Sequence, residues 1–139
     1  MHTVSNLVGR LVEVRVASPL SLAEVDNFRQ EHQAAIRDLP DRYVGAVDLR
    51  RADVFPIEVA QKLIAMLSGM APLVERTGFL IGESAVFSLQ IERILRNSAS
   101  PQRKAFREPE QLKAFLGEVL TPLERSRLDA FLGEPLDAE

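Results

Sequence analysis

The stretch Tyr43-Val44-Gly45-Ala46-Val47-Asp48-Leu49 decides the fold class of this chain. Its near-continuous apolar run is typical of a strand buried on both faces, as in a parallel sheet covered by helices. A loop follows, Arg50 to Phe55, and then a helix that opens at Pro56, where the missing N–H needs no partner. Since partners and ligands of such sheets usually bind at the carboxyl ends of the strands, we expect a functional site near Asp48 and this loop.

Further strands are indicated on both sides of this segment. Gly78-Phe79-Leu80-Ile81 is a second buried strand, which ends at Gly82 and should lie beside the first. Leu11 to Val16 alternates apolar and polar residues, as does a strand with one solvated face. Gly9-Arg10 can turn it back on a preceding strand, Val4 to Val8. A short strand is also expected near Lys104-Ala105-Phe106.

Apolar residues at helical spacing predict five helices. The starts that we assign to them are Ser21 with Glu24 as a capping box, Pro56, Ser84, Pro109, and Thr121 with Glu124. The predicted order is β, β, α, β, α, β, α, β, α, α, and this alternation implies right-handed crossovers and a mostly parallel sheet.

The predicted fold is therefore α/β, in a single domain of 139 residues. It has a small mixed, mostly parallel sheet, with helices mostly on one face and an extra C-terminal helix. We assign residues 1–120 to the body of this domain, and residues 121–139 to an amphipathic helix and tail that belong to it. This last helix is expected to pack on its own domain, with pairing of two copies of the chain as the alternative.

Composition excludes several function classes. The net charge is -3 and the basic residues are scattered among acids, so no basic patch for nucleic acid is expected. With no cysteine, thiolate catalysis and zinc–thiolate sites are excluded, and a reducing compartment suits the chain. No apolar run approaches the ~20 residues that span a bilayer, and residues 1–4 do not resemble a signal peptide. We expect a cytoplasmic protein that is not transmembrane and needs no cofactor.

The strand end Asp48-Leu49, followed by Val54-Phe55 and a helix, resembles the STAS domain, the family of anti-sigma-factor antagonists and of cytoplasmic domains of sulfate transporters. The resemblance covers about residues 3–120 in element order. In the antagonists a partner kinase phosphorylates a serine at the start of this helix. Here Pro56, Ile57 and Glu58 stand in that place, so regulation by that phosphorylation is not expected, although Glu58 could act as a fixed negative charge.

The chain is more similar still to the divergent STAS-like group, which resembles both STAS and lipid-carrier domains. The similarity rests on Asp48-Leu49 before a helix start without serine, and on the late segment Phe106-Arg107-Glu108. We predict a non-enzymatic regulatory or scaffolding module that binds a partner protein, because the surface at the strand ends combines helix N-termini, a fixed acid and apolar residues but lacks a nucleophile with a base. The alternative is a small carrier that binds an apolar, lipid-like ligand in a cavity lined by Phe28, Leu63, Phe87 and Ile91.

We predict that the partner-binding surface is formed by the loop after the first buried strand and by the neighbouring turn. The residues are Asp48, Phe55, Pro56, Ile57, Glu58, Gly82, Glu83 and Ser84. Two of them carry an open alternative: Asp48 could simply accept N–H bonds from its loop, and Phe55 could pack beneath the helix start rather than in a docking patch. Ser84 is expected to cap its helix.

No catalytic or metal-binding residue is predicted. His32 is considered because a histidine can titrate near neutral pH. It lies on an apolar helix face, however, where a half-buried histidine is more common than a ligand. Zinc sites need three or four ligands, and no second suitable histidine is apparent. An enzyme that uses Asp48 with His32 remains a third hypothesis, which requires the two side chains to share one pocket.

Overall fold

The computed structural model describes residues 1–98 and 100–134. Within them the five strands of one sheet lie side by side in chain order. They are β1 (His2–Val8), β2 (Leu11–Val16), β3 (Tyr43–Asp48), β4 (Val74–Leu80) and β5 (Arg103–Phe106). β1 and β2 form an antiparallel hairpin, whereas the pairs β2–β3, β3–β4 and β4–β5 are parallel. The predicted mixed, mostly parallel sheet is therefore confirmed, and the two buried strands are neighbours.

The helices are α1 (Leu22–Ile36), α2 (Ile57–Met70), α3 (Ala85–Asn97), α4 (Pro109–Gly117) and α5 (Pro122–Gly133). A one-turn 3-10 helix, Ala71–Leu73, which the sequence did not indicate, joins α2 to β4. Pro56 lies one residue before α2 and not in its first turn, a difference within the usual uncertainty of helix boundaries.

Each face of the sheet has its own core. Val12, Val14 and Val16 of β2 face the buried residues of α1, α2 and α3. Leu11 of β2, with residues of β3 and β4, faces α4 and α5 instead. Because successive side chains of a strand point to opposite faces, the continuous apolar runs of β3 and β4 supply both cores. Three helices thus cover one face and two cover the other.

Helix α5 is joined to the sheet through polar as well as apolar contacts. Its capping box is complete: the Thr121 side chain accepts from the Glu124 N–H, and Glu124 accepts from the Thr121 N–H. The other carboxylate oxygen of Glu124 accepts from the Arg10 N–H at 2.8 Å, beside Gly9 in the β1–β2 turn. Gly9 has φ +55°, and a Cβ there would collide with the Glu124 carboxylate, so a larger residue would strain the turn and displace Glu124 from its hydrogen bonds. Residues 135–139 of the predicted tail lie outside the described residues.

The predicted capping box of α1 is only half formed. Ser21 accepts from the Glu24 N–H at 3.2 Å, as expected. The Glu24 carboxylate instead bonds Nδ1 of His2 in β1 at 2.8 Å, and Nε2 of His2 bonds Glu31 at 2.9 Å. A tertiary ion pair has taken the place of the local bond, because β1 runs beside α1.

Candidate functional site

Asp48, at the end of β3, is a buried anchor with 2% of its surface exposed. Its Oδ1 accepts from the N–H of Arg50 at 3.1 Å and from Nε at 3.0 Å, and its Oδ2 accepts from Nη2 at 2.9 Å. Arg15 lies 3.6 Å away on the neighbouring strand. Hydrogen bonding to Asp48 raises the pKa of Arg50. Arg50 also donates to the carbonyl of Leu132, so this ion pair fixes the loop to α5.

Phe55 is buried and belongs to the core. Its ring packs edge-on against Phe87 of α3, with 5.4 Å between the ring centres. The Phe55 backbone is held by one side chain: its N–H donates to Oε1 of Gln90 and its carbonyl accepts from Nε2, both at 2.8 Å. These two hydrogen bonds join the loop to α3, and they fix the start of α2 relative to the start of α3.

Around this anchored pair of helix starts lies a group of exposed apolar side chains, which we call the rim patch: Val54, Ile57, Val86 and Leu89. Their exposed fractions are 47%, 71%, 65% and 65%. Val54 and Ile57 flank the Phe55–Pro56 pair, while Val86 and Leu89 share one face of α3 beside Gln90. Exposed acids lie next to or within three residues of these positions in the sequence, among them Asp53, Glu58 and Glu83.

The turn after β4 brings the predicted second segment to the same rim. The Leu49 N–H donates to the Leu80 carbonyl at 2.8 Å, which holds the two strand exits together. Ser84 accepts from the Phe87 N–H at 3.2 Å and caps α3, as expected. Gly82 is half-buried, whereas Glu83 and Ser84 are exposed.

Apart from the half-buried Gly82, the structure divides the predicted surface residues into two groups. Pro56, Ile57, Glu58, Glu83 and Ser84 are exposed at one rim. Asp48 and Phe55 are buried and cannot contact a partner directly: the first carries a loop ion pair, and the second fills the space between α2 and α3.

Sequence reasoning missed Val86 and Leu89. They lie outside the apolar stripe of α3 formed by Phe87, Ile91 and Ile94. That irregularity was the signal that could have revealed them, because large apolar residues outside a helix stripe face solvent.

Asp48 and His32 lie on opposite faces of the sheet. His32 lines a cavity on the side of α1, α2 and α3, together with Tyr43, Gly45 and Val47 of β3. Successive side chains of β3 point to opposite faces of the sheet, so Asp48 points away from the face that these three residues share. On its own face it pairs with Arg15 and Arg50. The two side chains do not share a pocket, so the hypothesis of an enzyme that uses them together is wrong.

His32 instead belongs to a second group that sequence reasoning did not identify, which we call the buried polar cluster: His32, Tyr43, Thr77 and Arg103. Thr77 pairs with Arg103 of β5 on one side and with Gly45 of β3 on the other, so these residues share a face. His32 and Tyr43 have ring centres 5.0 Å apart, edge to face. All four members of the cluster are nearly or fully buried.

The pKa values in this cluster are set first by burial and then by the interactions with Arg103. Burial, and then the charge of Arg103, lower the pKa of His32 to about 4, so its ring is neutral at pH 7. Burial raises the pKa of Tyr43, and Arg103 opposes that change. Burial lowers the pKa of Arg103, with Tyr43 acting in the other direction. An arginine nevertheless keeps its charge at neutral pH.

The cavity that His32 lines lies between α1, α2, α3 and the sheet and has a volume of about 60 Å³. Its walls include Phe28, Leu63 and Ile91, which were predicted to line an apolar-ligand cavity; Phe87 is not among them. Ligand pockets usually occupy about 300–1,000 Å³, so this space is much smaller than one that would hold a lipid chain.

Among residues 1–98 and 100–134, no group of three or more histidine and acidic side chains could hold a metal ion. None of the described helices combines the length and the apolar character that crossing a bilayer requires.

The strand order, the two covered faces and the geometry of the strand exits define an α/β protein with a STAS-like fold. Among solved structures, the chain is similar to an uncharacterized protein of the DUF3478 family from Shewanella loihica PV-4, described as having a SpoIIAA-like fold. The TM-score is 0.64 at 10% identity, over 83% of this chain and 93% of that one. The SpoIIAA-like fold is the STAS-like fold of an anti-sigma antagonist, so the predicted resemblance is confirmed. At this identity the likeness concerns the fold alone.

Neither the protein-family models nor the curated proteins match the sequence.

Proposed function

We propose that this chain is a non-enzymatic regulatory or scaffolding module that binds a partner protein through the rim patch. The observation that carries the proposal is the exposure of Val54, Ile57, Val86 and Leu89 at the strand exits, where binding sites of such sheets usually lie. Burying one such side chain contributes about 1.5–3 kcal/mol. Four of them could therefore anchor a stable contact.

The charge around the rim patch indicates the kind of partner. Glu58 and Glu83 are exposed and form no ion pair with a described residue, and Asp53 adds a third acid. A partner with an apolar centre bordered by lysine or arginine would complement this surface, and its approach would be accelerated at low salt. A homodimer would use another surface, such as α5, where Leu123 is exposed.

The carrier function for an apolar ligand is supported less well. It requires a cavity several times larger than the one between the helices and the sheet. The rim patch, in contrast, consists of apolar side chains that are exposed in the structure.

The test compares the wild-type chain with Ile57→Asp/Leu89→Asp, in affinity purification from cells of its own organism followed by quantitative mass spectrometry. A protein captured by the wild type is then purified, and its Kd is measured by titration calorimetry. We expect the double substitution to weaken binding at least 100-fold, because each aspartate must lose its hydration in an apolar contact. The thermal midpoint should be nearly unchanged, since both side chains are exposed.

Leu73→Asp is the matched control. Leu73 is an exposed apolar residue in the one-turn helix before β4, at the opposite end of the strand. The Leu73→Asp substitution should leave the Kd for the partner unchanged. Glu58→Lys/Glu83→Lys should weaken binding and reverse its dependence on salt. Equal binding by the wild type and Ile57→Asp/Leu89→Asp would refute the proposal.

A further inference from the structure

The buried polar cluster contains an arginine whose charge is not compensated. Arg103 is 4% exposed, and its Nε, Nη1 and Nη2 atoms are all buried without a hydrogen-bond partner among the described residues. The Tyr43 hydroxyl interacts with the guanidinium and partly offsets the effect of burial on the pKa of Arg103, but no described residue has full hydrogen-bond geometry with a guanidinium nitrogen. Removing an ion from water is costly unless a counter-charge or hydrogen bonds replace the water. Such a group is therefore a strong indication of an anionic ligand.

The neighbours of Arg103 provide donors and no acid. Oγ1 of Thr77 and Nδ1 of His32 are also buried without a partner. The Thr77 and Tyr43 hydroxyls can each donate a hydrogen bond, and a neutral imidazole can donate from one nitrogen. No acidic side chain contributes to the pKa shifts of His32, Tyr43 or Arg103. This arrangement has the chemistry of a receptor for a carboxylate, which accepts several hydrogen bonds at once.

The space beside these donors is apolar and small. His32, Tyr43 and Thr77 line one part of the cavity of about 60 Å³, and the rest of its wall is almost entirely aliphatic and aromatic. A single water needs about 10–15 Å³ of such space, so there is room for roughly five non-hydrogen atoms. The ligand must therefore combine an anionic head with a very short apolar chain.

Arg103 also contributes to the wall of an open surface groove of about 430 Å³, which is lined by Arg96, Lys104 and Glu92 among other residues. Three positive charges against one negative charge would attract an anion from solution.

We propose that the buried polar cluster and the adjoining cavity form a binding site for a short-chain monocarboxylate of two to four carbon atoms. The carboxylate accepts hydrogen bonds from Tyr43 and Thr77, which line the cavity, the charge of Arg103 beside them stabilises it, and the alkyl chain occupies the cavity. The buried polar cluster lies towards the amino ends of β3 and β5, whereas the cavity extends to Leu49 and Phe55 near the strand exits. The proposal does not depend on the proposed partner binding.

The experiment is an NMR titration of the full chain with sodium propionate, which has five non-hydrogen atoms. We expect saturable shifts of the Gly45, Thr77 and Arg103 backbone amides. Sodium chloride at equal ionic strength lacks the alkyl chain, and 1-propanol lacks the carboxylate. Neither should therefore produce these amide shifts. Sodium hexanoate should bind at least tenfold more weakly, because its chain exceeds the cavity.

Three variants assign the response to the cluster. Arg103→Met should raise the propionate Kd at least tenfold without unfolding the chain, since it removes an unpaired charge and keeps the apolar stem. Thr77→Val keeps the side-chain shape and should raise the Kd severalfold. Arg125→Ala, at an exposed position of α5 on the other face of the sheet, should leave the equilibrium Kd within twofold of the wild-type value.

Absence of saturable shifts up to 50 mM propionate would overturn the proposal. So would equal shifts with chloride or 1-propanol, hexanoate binding as tight as that of propionate, or unchanged affinity in Arg103→Met.

Discussion

Arg127 of α5 forms two parallel hydrogen bonds with the buried carboxylate of Glu13 in β2, at 2.6 and 2.7 Å. Glu13 is 3% exposed, in the middle of a strand whose other face belongs to the larger core. The alternation of Leu11 to Val16 predicted a solvated face for Glu13, but α5 covers it. Glu13, which was predicted to face solvent, is therefore one partner of an ion pair that joins α5 to the sheet.

Breaking this pair on one side should be costly. Arg127→Leu leaves the Glu13 carboxylate buried without its counter-charge, and we expect a loss of about 3–5 kcal/mol in the free energy of unfolding. Glu13→Leu/Arg127→Leu removes both charges and should recover most of that loss. Urea denaturation of the wild type and of the two variants measures these differences in the free energy of unfolding. If the single and double variants are equally unstable, the ion pair is not what the substitution disrupts.

Phe55→Ala should destabilise the chain by about 3–5 kcal/mol, because it removes a buried ring packed on Phe87. Ile57→Ala, two residues away and 71% exposed, should change the stability by no more than about 0.5 kcal/mol. Chemical denaturation of the pair checks the assignment of Phe55 to the core and Ile57 to the surface. Similar effects of the two substitutions would contradict it.

His2 should stabilise the fold more at mildly acidic than at alkaline pH. Burial opposes its protonation, but hydrogen bonds and charge interactions with Glu24 and Glu31 outweigh burial and raise the pKa of His2 above 6.5. Its contribution is therefore complete below about pH 6.5, and is lost as the pH rises through the folded-state value. The stability difference between the wild type and His2→Gln should be larger at pH 5.5 than at pH 9. A difference that grows towards pH 9 would show that the ion pairs do not control this contribution.

His32 should have the opposite dependence. Its pKa of about 4 in the folded chain lies below the ordinary value of 6.5, so protons bind the unfolded chain more readily. The stabilising contribution is complete above about pH 6.5, and falls as the pH drops towards 4, by about 2 kcal/mol between pH 7 and pH 5. His32→Gln should remove this part of the acid sensitivity. The pKa is read directly from the imidazole resonances in an NMR titration, and a value near 6.5 would contradict the burial argument.

Much of the architecture was predictable because it depends on local patterns. The apolar run at β3, the helical spacing of α1 and the Thr121–Glu124 capping box each specify an element through residues that are close in the chain. The position of the candidate site also followed, since the exits of neighbouring parallel strands must meet at one edge of the sheet. The Ser21–Glu24 box shows the limit of such reasoning: Glu24 had a better partner in His2, 22 residues away.

By itself, the sequence determined the order and type of the elements and the rim at which Asp48, Pro56 and Ser84 lie. Only the tertiary structure decided which residues of that rim face solvent, and that Arg103 lies buried near Tyr43 and Thr77. The physical reason is that periodicity acts along one segment, whereas burial and charge pairing depend on the register between strands and on which helix covers which face. Arg103 is an ordinary basic residue in the sequence, and it becomes an unpaired buried cation only when β5 pairs with β4 beneath α3.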